Sequence, residues 1–175
     1  MPLDPECRRC PLCSGRTQVV PPSGDLRSKV ALVGEAPGAQ EDQLGRPFVG
    51  RAGRTLDKLM AEAGLDREKV MITNTVKCRP PENRRPTGEE ASSCRPHLAE
   101  DLKEKTFVIA LGLSAAEGLL GRKLVMSEVA NRTFDVELDG HELKVMVTYH
   151  PSACIYRPQA KDVLRDALRA AVAHL

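Results

Sequence analysis

Lys29-Val30-Ala31-Leu32-Val33, closed by Gly34, is the stretch on which the fold turns. Four consecutive apolar residues leave no alternate position for solvent, so they predict a strand covered on both faces, as in a parallel sheet between helices. Downstream, Leu56, Leu59, Met60 and Ala63 recur at helical spacing, and Gly64 suits the stop, so residues 50–64 read as a helix. Residues 70–73 read as the next strand, with Asn74 at its carboxyl end. After a Pro-rich loop, Thr87-Gly88-Glu89-Glu90 matches a capping box, and a helix is expected to run from it toward Leu102 through Pro96. Residues 107–111 form another buried strand ending in Gly112, followed by a short helix from near Ser114 to Gly121. Residues 133–138 and 142–147 flank Asp139-Gly140, a hairpin signal, so the sheet includes antiparallel strands. Pro158 opens a last helix with Val163, Leu164, Ala167, Leu168, Ala171 and Val172 on one face. The alternation predicts one α/β domain over residues 1–175, three-layer α/β/α with a central, mostly parallel sheet. Ligands of such sheets bind outside the carboxyl ends of the strands. The loops beginning at Gly34, Asn74, Gly112 and Tyr149 are therefore the places to look for chemistry.

A chain of 175 residues with 41% apolar and 29% charged residues can bury a substantial core. No apolar run approaches the roughly 20 residues of a bilayer span, and Met1-Pro2-Leu3-Asp4-Pro5-Glu6 has no basic or apolar region of a signal peptide. The expectation is a cytoplasmic or nucleoid-associated monomer without membrane contact. A net charge of +2 decides nothing about partners, but local charge is more pointed. Residues 77–85 hold four cations in nine positions, and residues 46–54 hold three arginines among glycines. Each is equally readable as a solvated surface. With three Phe, two Tyr and no Trp, any base stacking must fall to one or two specific rings.

The chain has six cysteines: Cys7, Cys10 and Cys13 at three-residue intervals, Cys78 and Cys94 flanking the basic loop, and Cys154 apart. In a reducing compartment C-x2-C spacing points to metal ligation before disulfides, and spacing alone does not choose between zinc and an iron-sulphur cluster. Pairing Cys7/Cys10 with Cys78/Cys94 would tie the N-terminal segment to the basic loop. Cys13 rivals Cys7, since both stand three residues from Cys10. Cys154 reads as a small apolar residue.

The segment from Gly34 to Gly50 puts Glu35, Glu41 and Phe48 on a Gly/Pro-rich loop, the kind that carries function more often than packing. Singly, each has a bland reading as surface carboxylate or core ring. Together with Ile72-Thr73-Asn74-Thr75-Val76-Lys77-Cys78-Arg79-Pro80-Pro81-Glu82-Asn83 and Tyr149-His150-Pro151-Ser152-Ala153, they make a specific pattern. From Cys7 to about Arg157 the chain resembles the family 4 uracil-DNA glycosylases, the iron-sulphur branch of that superfamily.

That resemblance implies a monofunctional glycosylase that flips uracil out of DNA and hydrolyses its N-glycosidic bond, with uracil-containing DNA as its partner. It implies a structural [4Fe-4S] cluster on Cys7, Cys10, Cys78 and Cys94, an N-terminal cluster-binding segment over residues 1–28, and Cys13 as a non-ligand. Phe48 would stack on the extruded base and Asn74 would read its amide edge, since a flipped base must regain the stacking and pairing it lost. Glu41 would stand near the base's 5-position, where it can exclude the methyl of thymine. His150 would donate to the charge developing on O2. Glu35 would position water or stabilise the sugar cation, with Asn83 assisting. Ser152, Ile155 and Arg157 belong to the loop that enters the duplex, Ile155 as the candidate wedge. Arg46, Arg51, Lys77, Arg79, Arg84 and Arg85 are phosphate-binding candidates. A covalent sugar-trapping relative would need a histidine after Cys78, where this chain has Arg-Pro-Pro-Glu-Asn-Arg-Arg-Pro-Thr. A non-catalytic DNA-binding module would have no use for Glu35, Asn74 and His150 together, and a general zinc or redox protein would expose a reactive C-x-x-C pair.

Overall fold

A computed structural model of the chain describes residues 3–175, so Met1 and Pro2 of the expected segment 1–28 lie outside the described residues. Six strands form one sheet: β1 (Ser23–Gly24), β2 (Val30–Gly34), β3 (Met71–Asn74), β4 (Phe107–Leu111), β5 (Thr133–Leu138) and β6 (His141–Thr148). Their spatial order is β1-β3-β2-β4-β6-β5. The four central strands are parallel, and the two edge strands pair antiparallel. The continuous apolar runs are the buried strands: every residue of β2 and β4 is buried, while β5 alternates as an edge strand must.

Helices cover both faces. On one side, α2 (Arg51–Ala63) and α7 (Pro158–Val172) place Leu56, Met60, Leu164 and Leu168 against Leu32, Ile72 and Ile109 of the sheet. On the other, α3 (Gly88–Leu102), α4 (Leu113–Leu120) and α5 (Met126–Val129) cover Ala31, Val33, Val108 and Val145. The three-layer α/β/α arrangement expected from the alternation is what forms. Thr87 caps α3 through the full capping box with Glu90. The helix continues through Pro96, at the cost of the hydrogen bond Ser92 would otherwise accept. The Asp139-Gly140 turn has both residues at positive φ, 48° and 81°, matching the twist of the β5–β6 hairpin.

Three short helices were not expected: α1 (Ala39–Leu44), inside what reads as a loop, α5, between α4 and β5, and α6 (Ala153–Tyr156), just after the Tyr149-His150-Pro151 segment. A third, smaller core lies outside the sheet, where Leu12 and Val19 pack with Val76 and Cys78. The N-terminal segment is anchored there by the Val20 amide, which donates to the Lys77 carbonyl at 2.7 Å. Among the described residues no helix is long and apolar enough to cross a membrane.

Candidate active site

In the sheet order β2 lies between β3 and β4, so the chain leaves β2 to one side and later returns to the other. The crevice at this switch point is where such sheets hold ligands. Gly34 and Asn74 are register partners at the ends of β2 and β3, and Leu111 and Thr148 at the ends of β4 and β6. These ends open into a cavity of about 480 Å³ whose walls include Glu35, Glu41, Phe48, Asn74, Asn83 and His150. All six residues expected to act on a base are thus brought together. Arg84 and Ser152 also line it.

The floor is built by a close approach. A side chain on Gly34 would stand 2.4 Å from the Phe48 ring and 2.6 Å from Asn74 Oδ1, so only glycine lets ring and amide meet over the strand end. Asn74 is 3% exposed and its Oδ1 has no hydrogen-bond partner. Buried amide oxygens are nearly always satisfied, and one left open in a pocket is an acceptor awaiting a ligand's donor. The Phe48 ring centroid lies 5.7 Å from that of His150, tilted by 36°.

His150 is held in one tautomer. The Ser152 amide donates to His150 Nδ1 at 3.1 Å, and the Ser152 hydroxyl reaches the same nitrogen at 2.8 Å. With Nδ1 accepting, the proton of the neutral ring sits on Nε2. Burial among the pocket walls pushes the imidazole pKa down to about 4, against a smaller upward pull from the Glu41 charge. Ser152, expected on the DNA-entering loop, therefore orients the histidine, a role its place two residues on could have suggested.

Glu41 faces inward, but its carboxylate is occupied. Oε1 accepts from the Gly38 amide at 3.1 Å, and Oε2 from Val49 and Gly50 at 2.9 and 2.7 Å. It ties α1 to the far end of the loop that carries Phe48. Asn83 has its Oδ1 taken by Arg79 Nε at 2.8 Å, which leaves its amide N–H groups as donors. The Thr75 hydroxyl and the Val76 amide both donate to the Glu35 carbonyl, fixing the backbone from which the Glu35 carboxylate extends.

The basic residues divide. Lys77 is a correction: it is 1% exposed and its ammonium donates to Asp101 at 2.5 Å, Thr73 at 2.5 Å and the Asn74 carbonyl at 2.7 Å. It neutralises a carboxylate within the protein and has no surface to offer a phosphate. Arg84 forks onto Glu90 with two bonds of 2.8 Å, and Arg85 pairs with Glu117 at 2.5 Å. Arg46, Arg51 and Arg157 are exposed and Arg79 is half-buried. On α6, Ile155 is 37% exposed and Tyr156 is 82% exposed.

A second cavity, on the N-terminal side, has Cys7, Cys10, Cys78 and Cys94 in its walls, but not Cys13. Burial pushes the Cys78 thiol up to about 11, and the Cys10 and Cys94 thiols up as well. Arg16 donates to Cys78 Sγ at 3.4 Å, and His97 Nε2 lies 3.7 Å from Cys7 Sγ. Cys154 is buried in the core beneath α2 and α7, as a small apolar residue.

Residues 21–172 match the profile of the Uracil DNA glycosylase superfamily. The type-4 uracil-DNA glycosylase of Thermotoga maritima is 43% identical over 93% of this chain and 84% of its own length. That of Pyrobaculum aerophilum is 42% identical over 93% of this chain and 86% of its own, and that of Archaeoglobus fulgidus 41% over 89% and 81%. With a match of this extent behind the same strand-end residues that line the cavity, the chain belongs to the uracil-DNA glycosylase superfamily, and within it to the type-4 branch.

Proposed function

We propose that this single-domain protein excises uracil from DNA, leaving an abasic site with the strand intact. The observation that carries the reading is the open Asn74 Oδ1, buried beside the Phe48 ring in a cavity into which His150 also faces. An extruded pyrimidine supplies what this floor lacks. Its ring stacks on Phe48, its N3–H donates to Asn74 Oδ1, and its O4 accepts from the Asn74 amide N–H. Cytosine presents an acceptor at position 3 and a donor at position 4, so both contacts become mismatches, a penalty that can reach about four powers of ten. Glu41, on the same wall, narrows the space open to a 5-methyl group and secures the loop beneath Phe48.

When the C1′–N1 bond breaks, the electron pair leaves with uracil and negative charge grows on O2. His150 meets that charge as a neutral Nε2–H donor, so leaving-group stabilisation requires no prior proton uptake. The water oxygen bonds to C1′ of the cationic sugar, and the proton it loses passes through solvent to the departed uracil anion. Glu35 stabilises the cation or orients that water, and Asn83 assists through its free N–H groups. Arg46, Arg51, Arg79 and Arg157 contact phosphates, and Ile155 enters the duplex from α6. Arg84 and Arg85 join the phosphate contacts only with whatever donor capacity their carboxylate partners leave them.

The four-cysteine cavity is proposed to hold a structural [4Fe-4S] cluster. One observation supports the fit: the four thiols share one cavity that excludes Cys13. Buried thiols with raised pKa values become thiolates only with compensating positive charge, which iron supplies when bound.

A uracil-containing, end-labelled oligonucleotide tests the reading. Wild-type protein should yield cleavage only after alkali, and Asn74→Ala and His150→Ala should each lose most of it. No alkali-labile product from wild type, or a protein-DNA adduct in its place, overturns the proposal.

A further inference from the structure

We infer that Arg67 is a positioning residue for the base pocket, acting through Phe48 without touching the base; the inference rests on the uracil-excision reading. Phe48 has φ 53°, a left-handed conformation that an aromatic residue rarely adopts, so its surroundings must hold it there. Glu41 secures the C-terminal side of the residue by accepting from the Val49 and Gly50 amides. From outside the pocket, a second group grips the peptides on both sides of the residue. Arg67, in the turn Arg67–Lys69 before β3, donates from Nη1 to the Phe48 carbonyl at 2.8 Å and from Nη2 to the Pro47 carbonyl at 2.6 Å.

Two features of α2 complete this support. Asp57 accepts from Arg67 Nη1 at 2.7 Å and aims the guanidinium. Gly53 leaves room for the Phe48 carbonyl, which would lie 2.0 Å from any Cβ at that position. The Arg67 side chain is 17% exposed, and the residue is absent from the cavity walls. The planar fork spans two successive carbonyls, which an ammonium cannot do with the same geometry. Arg67 therefore sets the angle of the ring that a pyrimidine lies on.

The test uses the full chain carrying its cofactor. Arg67→Ala should lower kcat/KM on uracil-DNA about tenfold and weaken inhibition by free uracil by a similar factor, with Arg67→Lys between it and wild type. Affinity for duplex lacking uracil should not move, since no phosphate contact is lost. The reading that separates positioning from general stability is a double-mutant cycle: Arg67→Ala placed on Phe48→Ala should cost nothing further in uracil inhibition. If Arg67→Ala folds poorly, Asp57→Asn gives the same signature at smaller amplitude. Wild type that fails to excise uracil sinks the functional reading. Wild type that excises, with Arg67→Ala and Asp57→Asn both within twofold of it or with additive losses in the Phe48→Ala background, sinks this inference alone.

Discussion

Asn74 and Lys77 stand three residues apart, both buried, and the difference between them separates site from scaffold. The Lys77 ammonium finds Asp101, Thr73 and a backbone carbonyl, while Asn74 Oδ1 finds nothing within the protein. Removing Lys77 therefore strands a carboxylate whose side chain is 10% exposed. Lys77→Ala is expected to cost about 3–5 kcal/mol in urea unfolding, with no change in the salt dependence of DNA binding. A shallower salt slope in a stably folded Lys77→Ala protein would restore it as a phosphate contact. Asn74→Ala should show the opposite pattern, with little change in stability and kcat/KM lower by about 10²-fold or more, read by single-turnover assay. His150 gives the pH dependence. Its folded pKa of about 4 lies below the ordinary value of 6.5, so the unfolded chain binds a proton that the folded one refuses between those limits. Its contribution to stability is complete above about pH 6.5, falls as pH drops toward 4, and levels off below. Urea midpoints followed over that window should show a smaller decline in His150→Gln than in wild type.

At the scale of elements, the capping box at the start of α3 links local sequence to the cysteine cavity. Glu90 accepts from the Thr87 amide and from both arms of Arg84, which hold its carboxyl down to about 2. It lies one turn before Cys94 on the same helix. Glu90→Gln should cost about 1–2 kcal/mol at neutral pH. Because the carboxyl is depressed, the deficit relative to wild type should shrink as pH falls from about 4.5 toward 2, which thermal melts across that range will show. This cap was legible because its two residues are three apart, as were β2 and β4 because unbroken apolar runs admit few other readings. What escaped was short or non-local. Helix α1 has six residues bracketed by Gly38 and Gly45, and β1 has two, too few for a periodicity to emerge. Strand-end position marked the loops beginning at Gly34, Asn74 and Tyr149 as places to look, and the family resemblance, not local pattern, singled out Glu35, Asn74 and His150 on them. The burial of Lys77 depends on Asp101, and the grip of Arg67 on Phe48 depends on a loop 19 residues earlier, and neither partner is announced by local pattern.

Over the whole molecule, two large cores flank the sheet and a small third one joins the N-terminal segment to the loop after β3 and to α3. That third core is thin: Leu12, Val19, Val76 and Cys78 are its buried apolar members. So little buried area cannot by itself fix residues 7–20 against the sheet at about 25 cal/mol per Å². Metal-thiolate bonds can, and their contribution appears as folding free energy of the segment they close. Bleaching the proposed cluster with an oxidant and a chelator should lower the melting temperature and open a protease site within residues 7–20, while the sheet's amide protons stay protected in hydrogen exchange. Cys10→Ser and Cys94→Ser should reproduce that state together with the loss of visible absorbance. Cys13→Ser should keep both colour and protection, since Cys13 is not in the cavity wall. A colourless Cys13→Ser protein, or a bleached protein whose N-terminal segment stays as protease-resistant as before, would show that something other than these four thiolates holds the segment down.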